Sequence, residues 1–282
     1  MLQFLSIGHC CHDRLDGRNI LGGTASYSGL VARQLGMETG ILTSVGGDFE
    51  FLEVFQKRGI QFWDKPAAET TVFENTYLNG KRTQHLRARA ETLYPADIPA
   101  ACKSAPIVLC CPIADEVDFS TLKIFPNALK GATIQGWLRQ WDEKGKISPK
   151  EMDWPQLAAA DVVIMSDADI QGFEAAIPTI ASFVEVLVMT QGANGVQIFF
   201  ENKKFHFPAF KVQEVDATGA GDVFATAFLV KYAETRDIAE ATGFAHAAAS
   251  FVVEGVGITG LANIEQVNDR FEKYNSHSSL SL

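Results

Sequence analysis

The sequence has few cysteines and no long apolar segment, and these absences exclude several classes of protein. Its 282 residues include five cysteines, none of them in C-x-x-C spacing, so neither a disulfide scaffold nor a closely spaced zinc site is indicated. No charge-free stretch reaches the roughly 18 apolar residues of a membrane-spanning helix. Residues 1–8 are apolar but lack the basic segment and cleavage site of a signal peptide, so we expect a cytoplasmic protein.

The chain also has fewer basic than acidic residues. The chain has 24 Lys and Arg residues against 34 Asp and Glu residues, a formal net charge of −10. This balance argues against nucleic acid or an anionic membrane as partner. An anionic ligand would have to be attracted locally, by backbone amides, a few basic side chains or a metal ion.

Strand-like and helix-like segments alternate along most of the chain. This pattern predicts an α/β fold with a mostly parallel central sheet and helices on both of its faces. Residues 61–63, 71–78 and 84–89 read instead as antiparallel strands of a smaller sheet, with Asn79-Gly80 as a hairpin turn. Residues 13–20 would add another strand. We expect one domain over residues 1–282, with the smaller sheet inserted at about residues 13–20 and 61–90.

The most informative motif lies late in the chain, from Val215 to Phe224. Two glycines and an alanine stand directly before Asp222, and residues 223–230 form an almost unbroken apolar run that predicts a buried helix. Small residues at a helix N-terminus let backbone N–H groups approach an anion. Asp222 would repel a resting phosphate, but it suits a base that deprotonates a hydroxyl about to attack one. The motif therefore indicates phosphoryl transfer from a nucleotide to an alcohol.

Two better-known phosphate motifs do not fit this segment. A P-loop has Lys after its last glycine, where this chain has Asp222, and the dinucleotide-binding motif has a third glycine where this chain has Phe224. A simple turn with a helix cap would also use Gly and Asp, and this structural reading stays open.

The full string resembles the second signature of the ribokinase-like (PfkB) carbohydrate kinases, D-T-x-G-A-G-D-x-F. The resemblance implies a three-layer fold whose small sheet is a lid over the substrate, with ATP as co-substrate and Mg²⁺ as cofactor. It implies that Asp222 is the catalytic base. It also implies that the backbone amides of Gly219, Ala220 and Gly221 form the anion hole for the transferred phosphoryl group.

Residues near the N-terminus fit the acceptor side of such a site. Asp13 follows the first strand, at the edge of the sheet where ligands bind in open α/β folds, and its carboxylate can accept two substrate hydroxyls. A surface turn is the structural alternative, and the family resemblance favours sugar binding. Gly22 and Gly23 precede a helix and would let the backbone approach a polyol. Tyr27 stands where family members usually have Asn.

A second group of residues fits the nucleotide. Thr190, Gly192 and Gly195 follow a strand and resemble the T-x-G-x-x-G nucleotide segment of the family. His246 falls near the position where family members have an Asn beside the adenine. A core histidine on an alanine-rich helix is the alternative.

Two aspartates are candidates for binding cations. The N-x-x-E motif that organises Mg²⁺ through water is altered to Ser166-Asp167-Ala168-Asp169, and Asp169 could still hold a metal-bound water. Asp216 falls where family members help to bind a monovalent cation, which would be K⁺.

Four short strings resemble plant-type myo-inositol kinases more closely than ribokinases: residues 8–13, 22–27, 69–73 and 134–139. That group carries a Gln and Arg pair like Gln135 and Arg139, and the resemblance implies that these two residues bind the acceptor. The prediction is an ATP-dependent kinase of a sugar or cyclic polyol, with myo-inositol as one acceptor. The alternatives are a nucleoside kinase, since an aromatic face such as Tyr27 also suits a base, and a silent sugar-binding protein on the same fold. Exposed lid edges would allow a homodimer.

Overall fold

A nine-stranded sheet forms the centre of the molecule. The computed structural model describes the backbone of residues 1–78 and 81–278 and the side chains of residues 1–76 and 83–274. In spatial order the strands are β15 (Lys203–Phe207), β14 (Val196–Phe200), β13 (Val186–Thr190), β12 (Val162–Ser166), β9 (Leu129–Thr133), β8 (Ile107–Cys110), β1 (Phe4–Ile7), β4 (Thr39–Gly46) and β5 (Gln61–Ala67). Neighbouring strands from β13 to β5 are parallel, and β14 and β15 add two antiparallel pairings at one edge.

The sheet separates two apolar cores. Successive residues of one strand point to opposite faces, so Phe4 and Val162 pack into one core while Leu5 and Val163 pack into the other. Because both faces are covered, these strands are continuous apolar runs rather than alternating ones. The predicted mostly parallel sheet is confirmed by this arrangement.

Helices cover both faces of the sheet. The α-helices are α1 (Thr24–Gln34), α2 (Leu52–Gln56), α3 (Ile177–Phe183), α4 (Ala220–Thr235), α5 (Ile238–Val253) and α6 (Ile264–Ser278). Buried side chains of α1, α4 and α5 belong to one core. The other core is closed by α3 and by short 3₁₀ turns such as 119–124 and 154–159. Among the described residues, no helix has the length and apolar character needed to cross a membrane.

A small four-stranded sheet lies outside the central one. It consists, in spatial order, of β3 (Arg18–Gly22), β2 (Cys11–Leu15), β6 (Val72–Leu78) and β7 (Lys81–Ala88). The prediction that residues 61–63 belong to it is wrong, because β5 pairs in parallel with β4 along its whole length. The β2–β6 pairing is parallel, so the small sheet is mixed rather than purely antiparallel. The single strand predicted over residues 13–20 is wrong, because β2 and β3 form an antiparallel pair that turns within that range. The predicted Asn79-Gly80 turn lies outside the described residues.

Candidate active site

The glycine-rich motif forms the start of α4. Gly219 is the N-cap residue, with φ of 81°, a left-handed conformation that glycine adopts without strain. A side chain here would also collide with Tyr27, because a Cβ on Gly219 would lie 2.5 Å from Cε1 of its ring. Gly219 has no side chain that could cap the helix, so first-turn N–H groups point towards the space in front of it. The Ala220 amide differs, since it donates to the carbonyl of Ala217 at 3.2 Å.

Asp222 lies in the first turn of α4 and is partly buried. Loss of solvent around its carboxyl group, with smaller contributions from the neighbouring Asp13 and Asp169, raises the pKa to about 6. A hydrogen bond from Thr24 and the positive charge of Arg139 oppose this rise in pKa. The predicted base is therefore electrostatically coupled to three other predicted site residues.

The Gly22-Gly23 pair makes room for groups of the protein itself. A Cβ on Gly22 would collide with the Asp13 carboxylate, and a Cβ on Gly23 would collide with the carbonyl oxygen of His9. Gly23 has φ of 91° and is the N-cap residue of α1. The two glycines thus let β3 pass close beside Asp13 before α1 begins, which brings Thr24 and Tyr27 to the site.

Tyr27 connects the two sides of the site. It is 4% exposed, and burial raises the pKa of its hydroxyl, with smaller contributions from Asp222, Asp13 and Asp216. The ring packs against Gly219, and the hydroxyl lies near Gly257. Tyr27 therefore lies among the predicted acceptor, catalytic and cation residues.

Gln135 and Arg139 flank a short 3₁₀ turn that follows β9. Gln135 Nε2 donates to Asp169 Oδ1 at 2.9 Å, and Asp169 Oδ2 accepts from the backbone N–H and the hydroxyl of Ser166 at 2.8 and 2.7 Å. Arg139 Nη1 donates to the carbonyl of Ile113 at 3.0 Å, and its guanidinium lies 5.6 Å from the Phe73 ring centroid. The structure brings both residues to the carboxylates, with Gln135 ordering Asp169.

The two predicted cation-binding aspartates are not assembled into a metal cage. Within the described parts of the chain, no three His, Cys, Asp or Glu side chains are grouped to hold a metal ion. Mg²⁺ commonly keeps several waters and one or two protein carboxylates, and Asp169 fits that smaller requirement. Burial disfavours the charge on Asp216, but hydrogen bonds from Thr218 outweigh it and lower the pKa.

A cavity of about 350 Å³ opens beside the start of α4. All four predicted nucleotide residues line it: Thr190, Gly192, Gly195 and His246. Ala220 and Gly221 line the same cavity, so it extends from the helix N-terminus to His246. The structure thus places the predicted phosphate-binding and nucleoside-binding residues in one space.

The end of the cavity at His246 is aromatic. The His246 ring centroid lies 5.1 Å from that of Phe224 and 5.7 Å from that of Phe210. Burial lowers the pKa of His246 to about 4, against a hydrogen bond with the Phe207 backbone that raises it. The imidazole is therefore neutral at physiological pH, which suits an apolar wall better than a phosphate-binding group.

A buried polar network connects the acceptor side to the small sheet. The Thr71 hydroxyl donates to His9 Nδ1 at 2.7 Å, since His9 Nε2 donates to the carbonyl of Glu91 at 2.9 Å. Both carboxyl oxygens of Glu116 accept backbone N–H groups, from His9, Ile113 and Ala114. His9 and Glu116 are fully buried, so this network holds the ends of β1 and β8 against the start of β6.

Several residues at the site have no predicted role. Thr24 forms a hydrogen bond with Asp222. Its position directly after Gly22-Gly23 is the only sequence feature that could have indicated a role at the site. The network of His9, Thr71 and Glu116 joins segments far apart in sequence, and no local pattern marks it. All five cysteines are buried thiols, so they pack as small apolar residues.

Comparison with known proteins identifies the architecture as the ribokinase-like fold, as predicted. Ribokinase from Thermotoga maritima superposes with a TM-score of 0.78 at 21% identity, covering 96% of this chain and 100% of that one. A pyrophosphate-dependent kinase in the ribokinase family, complexed with a pyrophosphate analog and myo-inositol, has a TM-score of 0.78 at 21% identity, covering 95% and 100%. Arabidopsis thaliana ribokinase complexed with ribose and ATP has a TM-score of 0.76 at 19% identity, covering 96% and 99%.

Sequence comparison confirms the predicted family resemblance. Residues 151–264 match the model described as pfkB family carbohydrate kinase, so this part of the chain is similar to that family. Inositol 3-kinase of Arabidopsis thaliana is 24% identical over 309 residues, covering 99% of this chain and 82% of that protein.

Two relatives with higher identity align over shorter stretches. Nucleoside kinase of Methanocaldococcus jannaschii is 38% identical over 93 residues, 32% of this chain and 31% of that protein. Ribokinase of Bacillus subtilis is 42% identical over 81 residues, 29% of this chain and 28% of that protein. These two alignments thus span less than a third of the relatives' own length. All these relatives are named kinases, the enzyme class that the sequence motifs predict.

Proposed function

We propose that this chain is a kinase that transfers the γ-phosphoryl group of ATP to a hydroxyl of a neutral sugar or cyclic polyol. The position of Asp222 carries the proposal. It lies in the first turn of α4, next to Ala220 and Gly221 of the donor cavity, and it interacts with the acceptor-side carboxylates Asp13 and Asp169. Its raised pKa suits a group that takes up a proton near neutral pH.

In the proposed reaction, Asp222 accepts the proton of the acceptor hydroxyl while the oxygen of that hydroxyl forms a bond to the γ-phosphorus. The bond between the γ-phosphorus and the β,γ-bridging oxygen breaks, and ADP leaves. Thr24 orients the carboxylate through its hydrogen bond. The backbone amides of Gly219 and Gly221 and the positive end of α4 stabilise charge on the phosphoryl oxygens. The Ala220 amide can contribute only if it gives up its hydrogen bond to the Ala217 carbonyl and donates to the phosphoryl group instead. Mg²⁺, when bound, would neutralise phosphate charge, with Asp169 holding it through water.

The aromatic end of the cavity favours a nucleotide over pyrophosphate as donor. Phe210, Phe224 and neutral His246 present apolar surface, which suits a nucleobase and has no use in binding a bare diphosphate. The structural neighbour complexed with a pyrophosphate analog makes pyrophosphate the second donor to test.

The charge around Asp222 favours a neutral acceptor. Asp13, Asp169 and Asp222 outweigh Arg139, so a sugar phosphate would be repelled, while carboxylates accept hydrogen bonds from the hydroxyls of a polyol. The whole-chain similarity to an inositol 3-kinase makes myo-inositol the first acceptor to test. A nucleoside is the second candidate, supported by the Tyr27 ring and the similarity to a nucleoside kinase.

We further propose that the small sheet is a lid over the acceptor, within one domain over residues 1–282. Asp13 and Leu15 lie on the same face of β2. Ile20 of β3 is paired with Asp13, so its side chain lies on that face of the small sheet as well. Leu15 and Ile20 are 41% and 47% exposed, and closure over a bound substrate would cover them. Pairing of two copies through the small sheet stays a prediction, as does K⁺ binding at Asp216.

The test is ADP release from Mg·ATP with myo-inositol, ribose, fructose or adenosine, with a parallel series using pyrophosphate as donor. We expect turnover on a polyol, reduced at least ~10²-fold in Asp222→Asn. Equal turnover in the variant would remove Asp222 from the mechanism. Binding of ADP and polyol without turnover would instead support the silent sugar-binding protein, which the altered motif at Ser166–Asp169 suggests.

A further inference from the structure

Aromatic rings extend from the C-terminal helix to the donor cavity. Tyr274 of α6 stacks on Phe210, with ring centroids 3.6 Å apart and an interplanar angle of 6°. Phe210 in turn lies against His246, which contacts Phe224. Phe210, His246 and Phe224 line the cavity, and Tyr274 supports Phe210 from outside it.

The segment that carries Phe210 has no regular secondary structure of its own. Residues 208–219 connect β15 to α4 and form one wall of the cavity. At one end the Tyr274 hydroxyl donates to the carbonyl of Lys211 at 3.2 Å. At the other end the amides of Val215 and Asp216 donate to the carbonyl of Val253 at 2.7 and 3.2 Å. Tyr274 thus fixes the part of the wall that is nearest the aromatic end.

We propose that Tyr274 is a positioning residue for the nucleobase of the phosphoryl donor. By stacking on Phe210 and bonding to Lys211, it holds Phe210 as a rigid apolar wall for the base. The inference rests on the proposed function in that the cavity takes a nucleotide. It predicts that α6 controls binding of the base and leaves binding of the phosphates unchanged, because Ala220 and Gly221, at the start of α4, line the other end of the cavity.

The test compares two ligands on the full-length protein by calorimetry: ADP, which has a base, and inorganic tripolyphosphate, which has none. Tyr274→Ala should weaken ADP binding roughly three- to tenfold, the scale of one aromatic pair, and leave tripolyphosphate binding unchanged. Tyr274→Phe keeps the stacked ring and should bind ADP within about twofold of wild type. Phe210→Leu keeps apolar volume without a ring and should show the same loss for ADP alone as Tyr274→Ala.

Several results would overturn the proposal. Equal weakening of both ligands would show that Tyr274 only maintains the loop, and an unchanged ADP affinity in Tyr274→Ala and Phe210→Leu would show that the stack has no role in binding. A wild-type protein that binds no ADP would overturn this proposal and the proposed function together. A wild-type protein that binds ADP but turns over no acceptor would contradict the proposed function alone. The ADP and tripolyphosphate affinities of the variants would still decide the role of Tyr274.

Discussion

Replacing Asp222 with asparagine is expected to make the protein more stable at neutral pH while removing its activity. The folded protein raises the pKa of this carboxyl group from 3.8 to about 6, so between these values the folded state binds more protons than the unfolded state. The free energy of unfolding of the wild type therefore falls as pH rises from about 4 to about 6, and stays lower above that. Asparagine does not ionise and is free of this cost.

The structure sets the magnitude of the effect. At about 1.4 kcal/mol for each tenfold change in proton affinity, the rise to about 6 corresponds to about 3 kcal/mol. Asp222 is partly exposed, so solvent screening reduces this figure, and we expect a gain of about 1–3 kcal/mol at pH 8. The difference between the two proteins should shrink towards zero as the pH falls below about 4, where Asp222 is protonated in both the folded and the unfolded state.

The assay is denaturant unfolding of wild type and Asp222→Asn at half-unit steps from pH 4 to pH 8. Asp216→Asn is the matched control, because hydrogen bonds from Thr218 lower the pKa of Asp216. That variant should be less stable than wild type at neutral pH, and the difference should diminish in acid. In parallel, kcat/KM of the wild type should fall below about pH 6 as Asp222 becomes protonated. A stability difference independent of pH, or a less stable Asp222→Asn at pH 8, would refute the assignment of a desolvated carboxylate.

Three further substitutions have specific expected outcomes. Gly221→Ala places its Cβ in open space, so the free energy of unfolding should stay within about 1 kcal/mol of wild type. The same variant should lower ADP release at least ~10²-fold, because the methyl group lies where the phosphoryl group is proposed to bind. Gly47→Ala, equally open and outside the site, should change neither quantity. Glu116→Gln replaces one acceptor oxygen by an NH₂ group facing backbone N–H donors, and denaturant unfolding should show a loss of about 2–3 kcal/mol; unchanged stability would mean that the buried network is not needed. Thr71→Val removes the hydroxyl between His9 Nδ1 and the Ala90 amide and should cost about 1–3 kcal/mol, whereas Thr71→Ser should restore it.

The donor side was predictable because its signals are local. A strand was expected directly before the Thr190–Gly195 segment, and β13 ends at Thr190. A buried helix was expected over the apolar run 223–230, and α4 contains this run and extends beyond it at both ends. Each predicted nucleotide residue stands next to a strand or on a helix that ends at the same edge of the sheet. The topology therefore brings them into one cavity without help from distant segments.

Elements that depend on tertiary contacts were less predictable. Residues 61–63 have a partly polar pattern, typical of a sheet with one solvated face. This pattern arises because β5 is the edge strand of the central sheet, where its side chains are partly buried or exposed. Helix α6 is largely polar and has no predicted counterpart. Its buried contacts come from Val267 and from Phe271, which packs edge-on against Phe244 of α5. Such contacts have no local sequence signature.

The family match and the geometry divide the site in the same way. Residues 151–264 contain Asp169, the donor cavity segments and Asp222, while the acceptor residues Asp13, Tyr27, Gln135 and Arg139 all lie before them. In the proposed function, the donor is thus recognised by a contiguous segment, whereas the acceptor is recognised by side chains that three separate segments contribute. The proposal implies that a change of acceptor needs substitutions only in those three segments, with α4 and the catalytic base Asp222 retained. We therefore expect an exchange at Arg139 to alter KM for the acceptor while leaving ADP affinity unchanged, which measuring both constants for one variant would test.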